Sequence, residues 1–171
     1  MSAGGPGCPT NLPQGSEQTM PDKISILVIC RHNSGRSQIA EAYLNKFYGD
    51  HVVVESAGLE PAQAVNPLVV QAMAEENIDL SGKKPQSVFE LFKQGKLYAH
   101  VITVCQDSEN NCPVFPGITQ RWYWPFPDPA AVEGTEAEKL AKVRKIRDMI
   151  KDWLLTSPQN TFDAKRLFRK P

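Results

Sequence analysis

Cys30 and Arg36 stand at the two ends of the stretch Cys30-Arg31-His32-Asn33-Ser34-Gly35-Arg36, with Ser37 next. It follows directly on the apolar run Ile24-Ser25-Ile26-Leu27-Val28-Ile29. A cysteine ending a buried strand, then a short loop, then an arginine opening a helix, forms a cradle for a tetrahedral oxyanion. Amides of Arg31, His32, Asn33, Ser34 and Gly35 and of the first helical turn have no intrahelical carbonyl to satisfy them, so they point inward. Such a nest binds the anion and favours thiolate over thiol at Cys30. The planar fork of Arg36 suits two oxygens of the anion. Cysteine is often only a small buried hydrophobe. The preceding strand, Asn33 and Gly35 within the loop, and the helical pattern beyond Ser37 favour a nucleophile instead.

Cys105 and Cys112 bracket a second polar stretch, Gln106-Asp107-Ser108-Glu109-Asn110-Asn111, with Pro113 behind it. On a helix this spacing places the two sulfurs on one face but about 10.5 Å apart along the axis. A disulfide needs Cα atoms roughly 4.4–6.8 Å apart, so bridging requires the segment to unwind. Mediocre helix formers and a terminal proline suit that. The alternatives at this point are a redox pair on a metastable segment, or one core cysteine and one incidental loop thiol. Asp128 sits in Trp122-Tyr123-Trp124-Pro125-Phe126-Pro127-Asp128-Pro129-Ala130. Prolines hold it in a stiff loop, and shielding by the aromatics would raise its pKa and fit it for general acid work. The other reading is an ordinary capping aspartate.

Elements able to position these groups alternate along the chain. Strands are expected over 24–29, 51–55, 101–104 and 121–124. Helices are expected over 37–48, from the Asn66 cap and Pro67 to about 76, over 87–94, and over 136–155. This alternation predicts a single three-layer α/β domain, a four-stranded mostly parallel sheet with helices on both faces. Ligands in such sheets bind beyond the carboxyl ends of the strands, where Cys30 and Cys105 both fall. Residues 1–22, rich in Gly, Pro, Ser and Gln, read as a disordered leader carrying Cys8. The core domain spans 23–155, and 156–171 reads as a surface extension.

The chain has 171 residues, with Lys+Arg and Asp+Glu both at 19, so no global field recruits nucleic acid or an anionic membrane. No stretch reaches the roughly 20 apolar residues of a bilayer span, and the N-terminus lacks the pattern of a secretory signal. Cysteines at 8, 30, 105 and 112 are too few for a disulfide scaffold. Their spacing, with His32, matches no usual zinc set, so no metal is expected. A cytoplasmic enzyme is the expectation.

The Cys30–Ser37 loop, Glu55-Ser56-Ala57-Gly58, the 101–113 segment and Asp128-Pro129 together resemble thioredoxin-coupled arsenate reductases. These share the low-molecular-weight protein tyrosine phosphatase fold. The resemblance covers about Lys23 to Leu155. It implies that Cys30 attacks arsenate held by the loop amides and Arg36, with Ser37 donating to the thiolate and Asp128 protonating the departing oxygen. Cys105 then attacks Cys30, Cys112 attacks Cys105, and thioredoxin reduces the last disulfide, with no resident cofactor. Some members hold potassium through residues matching Asn33, Glu41 and Ser56. The matching stretch Lys83-Lys84-Pro85-Gln86 departs from that set, with Lys and Gln where oxygen ligands are expected, and a lysine ammonium can take the cation's place. Phosphotyrosine hydrolysis by the same loop, and a non-catalytic oxyanion or redox sensor, are the rival readings. Phosphatases of this type carry Cys-x-Gly-Asn in the loop and an aromatic after Asp-Pro, whereas here His32 and Ala130 stand in those places.

Overall fold

A computed structural model describes residues 23–117 and 119–156. The leader over 1–22, Cys8 within it, and the extension beyond Thr156 lie outside the described residues.

β1 (Ile24–Cys30) is apolar at nearly every position because both its faces are covered. Ile26, Val28 and Cys30 join one core cluster, while Leu27 and Ile29 join the cluster on the opposite face. That is the period-two alternation of a strand. Beside β1 lie β2 (Val52–Gly58) and β3 (His100–Thr103), and β4 (Gln120–Tyr123) flanks β3, giving the order β2-β1-β3-β4. Each of these pairings is parallel.

α1 (Arg36–Tyr48), α2 (Pro67–Ala74) and α5 (Glu136–Thr156) cover the face that carries Cys30. α5 presents Leu140, Val143, Ile146, Ile150 and Leu154, its three-to-four stripe, to that core. α3 (Val88–Lys93) packs Val88 and Leu91 on the other face beside Tyr98 and Phe115. α4 (Gln106–Asn111) is short and follows β3 directly.

Asn66 caps α2 as expected, its side chain accepting from Leu68 N at 3.0 Å. That helix stops earlier than its apolar pattern suggests, because Asn77 adopts left-handed backbone (φ 60) and Ile78 N turns back to Met73 O at 3.1 Å. β2 runs three residues further than its valines predict, through Ser56, Ala57 and Gly58. Pairing of these small residues with Val28, Ile29 and Cys30 overrides their weak strand propensity.

Ile102 lies fully buried at the centre of the sheet. Ile102→Ala is expected to lower the unfolding free energy by about 2–5 kcal/mol, whereas exposed Met149→Ala stays within about 0.5 kcal/mol. Urea titration of both variants checks this contrast, and equal losses would contradict the core placement.

Candidate active site

The loop after β1 is shaped by where its carbonyls go. Leu59 N donates to Cys30 O (3.2 Å), Glu60 N to Arg31 O (2.8 Å), Ala62 N to His32 O (2.9 Å) and Asn66 N to Ser34 O (2.9 Å). Gln38 Nε2 donates to Asn33 O at 3.1 Å. In a planar trans peptide the following N–H points opposite to the carbonyl. Each outward carbonyl therefore sends the next amide into the hollow of the loop. Asn33 N shows the result, donating to Cys30 Sγ at 3.1 Å. The inward nest expected from the sequence is thus built by the 59–66 segment, which clamps the loop from outside.

Gly58 sits beneath this clamp, opposite Cys30 in the β1–β2 register. A Cβ there would stand 2.8 Å from Arg31 O and 2.9 Å from Asn33 N, so no side chain fits. This role for Gly58 was not visible in the sequence, since the crowding atoms come from another segment.

Asn33 is the hub of the loop. It is fully buried and holds a left-handed φ of 52°, a conformation asparagine tolerates. Its Oδ1 accepts from Gln86 N (2.9 Å) and Gln38 Nε2 (3.2 Å). A backbone N–H can only donate, which fixes the orientation of the amide. Nδ2 therefore donates to Ser37 Oγ (2.8 Å) and Ser56 Oγ (2.8 Å). With a lone pair of Ser37 Oγ taken by Asn33, its hydrogen is available to Cys30 Sγ at 2.9 Å. Ser56 passes its own hydrogen to Glu41 Oε2 (2.5 Å), and Lys83 Nζ donates to Glu41 Oε1.

Arg36 opens α1 with its side chain mostly buried. It donates from Nη1 to Phe126 O (3.1 Å) and pairs through Nη2 with Asp128 Oδ2 (3.5 Å). Asp128 caps a single 3-10 turn, Pro129–Ala131, accepting from Ala130 N at 2.9 Å. A Cβ on Gly35 would meet Pro129 Cγ at 3.1 Å, so this segment rests on the loop. The expected aromatic shield over Asp128 does not form. Trp124 and Phe126 are buried instead against Trp153 of α5, and the Asp128 side chain stays 40 % exposed. Large apolar rings gain more from the core than from covering a carboxylate. Arg31 and His32 contribute backbone rather than side chain to the hollow. Arg31 pairs outward with Glu60 (3.4 Å) and Asp107 (3.3 Å), and His32 Nδ1 lies 3.0 Å from Glu60 O.

Cys105 lies on the same rim. Ile29 is opposite Thr103, and Val104 N donates to Ile29 O at 3.0 Å, so Cys30 and Cys105 leave the carboxyl ends of neighbouring strands. Neighbouring strands are about 4.8 Å apart. Both thiols are free and buried. Cys105 is the N-cap of α4, its Sγ accepting from Ser108 N at 3.4 Å while Ser108 Oγ reaches Cys105 O at 2.9 Å. Cys112 is the C-cap of α4, separated from Cys105 by about two turns. It is half-buried against the Leu27, Ile29 and Phe115 cluster, and its thiol lies 3.3 Å from Pro113 O. Burial pushes the Cys112 thiol up to about 11, with Arg121 opposing and Glu109 adding to the shift.

α4 itself is held by polar contacts. Its sequence contains no apolar side chain, and only Ser108 is buried. Asp107 meets Arg31, Glu109 meets Thr103 and Arg121, and Gln106 Oε1 accepts from Tyr123 Oη at 2.9 Å. Exposed ion pairs contribute about 0.2–1 kcal/mol each, against about 1.5–3 kcal/mol for one buried leucine. This helix can therefore detach without uncovering apolar surface of its own. Among the described residues, no group of three His, Cys, Asp or Glu side chains could hold a metal, and no helix is long and apolar enough to cross a membrane.

The family model for low molecular weight phosphotyrosine protein phosphatases matches residues 25–156. The chain belongs to that family. Within it, the chain is 42 % identical to an arsenate reductase of Halalkalibacterium halodurans over 130 residues, 75 % of this chain and 91 % of the relative. Among solved structures, an arsenate reductase in the reduced state superposes with a TM-score of 0.61 at 26 % identity, covering 75 % of this chain and 92 % of that one. A thioredoxin-dependent arsenate reductase of Corynebacterium glutamicum gives a TM-score of 0.53 at 31 % identity, covering 76 % of this chain and 61 % of that one. These likenesses place the chain with the arsenate reductases of the family, as its motifs suggested.

Two outcomes follow from this geometry. Gly58→Ala is expected to weaken binding of inorganic arsenate by about tenfold or more with the circular dichroism of the sheet retained, because the added methyl displaces the loop backbone. Calorimetric titration decides it, and unchanged affinity would contradict the clamp. In the reduced protein, alkylation of Cys112 should rise about tenfold per pH unit from pH 8 to 10 and level off only near 11, as thiolate forms. An inflection near an ordinary thiol pKa of about 8.5, read by peptide mass spectrometry, would show that burial does not restrain it.

Proposed function

We propose that the chain reduces arsenate to arsenite through a relay of Cys30, Cys105 and Cys112, with thioredoxin as the final reductant. The observation that supports this most is the placing of three free thiols: two at the carboxyl ends of neighbouring strands, and the third at the far end of a helix that the second one caps.

The inward amides and Arg36 hold the oxyanion against Cys30. Ser37 Oγ and Asn33 N donate to its sulfur. The thiolate attacks arsenic, a sulfur–arsenic bond forms, and one oxygen leaves as water with a proton from Asp128. Cys105 thiolate then attacks Cys30 Sγ. The sulfur–arsenic pair of electrons goes to arsenic, taking it from As(V) to As(III), and a Cys30–Cys105 disulfide results. Cys112 attacks Cys105 Sγ, freeing Cys30 as thiolate and leaving a Cys105–Cys112 disulfide. That last bond needs α4 to unwind, because its ends stand about two turns apart. Unwinding also releases Cys112 from the burial that suppresses its thiolate. A dithiol partner such as thioredoxin then takes up the two oxidising equivalents. Free thiols at all three positions suit a reducing cytoplasm.

The same loop can hydrolyse phosphomonoesters through a phosphocysteine. Ala130, exposed after Pro129, offers no ring to stack on a phosphotyrosine, which makes arsenate reduction the better reading. Coupled turnover with thioredoxin, thioredoxin reductase and NADPH tests it. Cys30→Ser, Cys105→Ser and Cys112→Ser are each expected to fall below about a thousandth of the parent rate. Cys112→Ser should still release one arsenite per chain and accumulate the Cys30–Cys105 disulfide. Full multiple-turnover rates in both Cys105→Ser and Cys112→Ser would sink the relay.

A further inference from the structure

Glu41 is a buried carboxylate on α1, its side chain 9 % exposed, and a buried charge requires a partner. The potassium set suggested by family resemblance, Asn33, Glu41 and Ser56, does not fit a metal ion in this chain. Asn33 turns Nδ2 rather than its carbonyl oxygen toward Ser56, Ser56 spends its hydrogen on Glu41 Oε2, and the Lys83 ammonium already occupies Oε1. Lys83 reaches in from the turn after α2, its backbone N bonded to Leu80 O at 3.1 Å, and its side chain remains 41 % exposed.

We infer that Lys83 is a positioning residue. Its ammonium is the resident cation that neutralises Glu41 and thereby holds Ser56, Asn33 and the oxyanion loop in register, so that no free monovalent cation is needed. The inference rests on reading that loop as the oxyanion site. The polarity of the chain of contacts carries it. An ionised Glu41 accepts only, so Ser56 must donate to it and must accept from Asn33. Asn33, whose amide Gln86 N orients the same way from the other side, then donates to Ser37, which leaves the Ser37 hydrogen for Cys30. Removing the ammonium leaves the buried Glu41 carboxylate uncompensated unless a solvent cation takes its place.

The test is calorimetric binding of inorganic arsenate to the full chain in tetramethylammonium chloride and in potassium chloride. The parent protein should bind equally in both salts. Lys83→Met should lose about tenfold or more in tetramethylammonium and regain most of it in potassium, while Lys83→Arg binds like the parent. The melting temperature of Lys83→Met should likewise rise on exchange into potassium, and this response should vanish in Glu41→Gln/Lys83→Met. Parent-like affinity of Lys83→Met in tetramethylammonium would overturn the inference. So would a loss that neither potassium nor Lys83→Arg restores. If Lys83→Met fails to fold in tetramethylammonium, folding recovered in potassium supports the inference and failure in both salts refutes it. Should the parent bind no arsenate, the oxyanion reading falls, and the melting response to potassium still decides the role of Lys83.

Discussion

Outward hydrogen bonding of the loop carbonyls is the constraint on which the rest of this site depends. A peptide unit cannot turn its oxygen and its hydrogen the same way, so the 59–66 segment, by donating to the carbonyls of Cys30, Arg31, His32 and Ser34, sets the direction of the amides inside. The nest is therefore a property of two segments together. Gly58 is small because the loop backbone presses on it, and Gly35 because Pro129 rests on it from outside the loop. Asn33 completes the arrangement in a left-handed conformation stabilised by a side chain bonded on every side.

The two halves of the site differ in how firmly they are held. Cys30 is embedded in the core at the end of a strand buried from Ile26 onward, and its loop is locked by buried hydrogen bonds. Cys105 and Cys112 bound a helix whose attachments are polar and mostly exposed. Sulfur that meets a substrate gains from a rigid cradle, whereas sulfur that must carry a disulfide outward gains from a segment that is easily released. The chain places each thiol on the kind of support its proposed step requires.

Electrostatics in this protein is local. Opposite charges balance over the whole chain, so anion attraction arises from inward amides, the start of α1 and Arg36. The only buried acid feeding the loop, Glu41 among the described residues, meets Lys83 rather than solvent.

Much of this was legible in the residues alone. Strand-then-loop-then-helix around Cys30, the Asn66–Pro67 start of α2, the stripe of α5 and the weak helix between Cys105 and Cys112 are all local patterns, decided by propensity and periodicity within a few residues. Tertiary structure decided what depends on atoms from distant segments: the extension of β2 under the loop, the crowding at Gly58, the burial of Trp124 and Phe126 against Trp153 in place of a shield over Asp128, and the contact of Lys83 with Glu41. Hydrogen-bond direction and burial are set by partners far along the chain, and no local spacing encodes them.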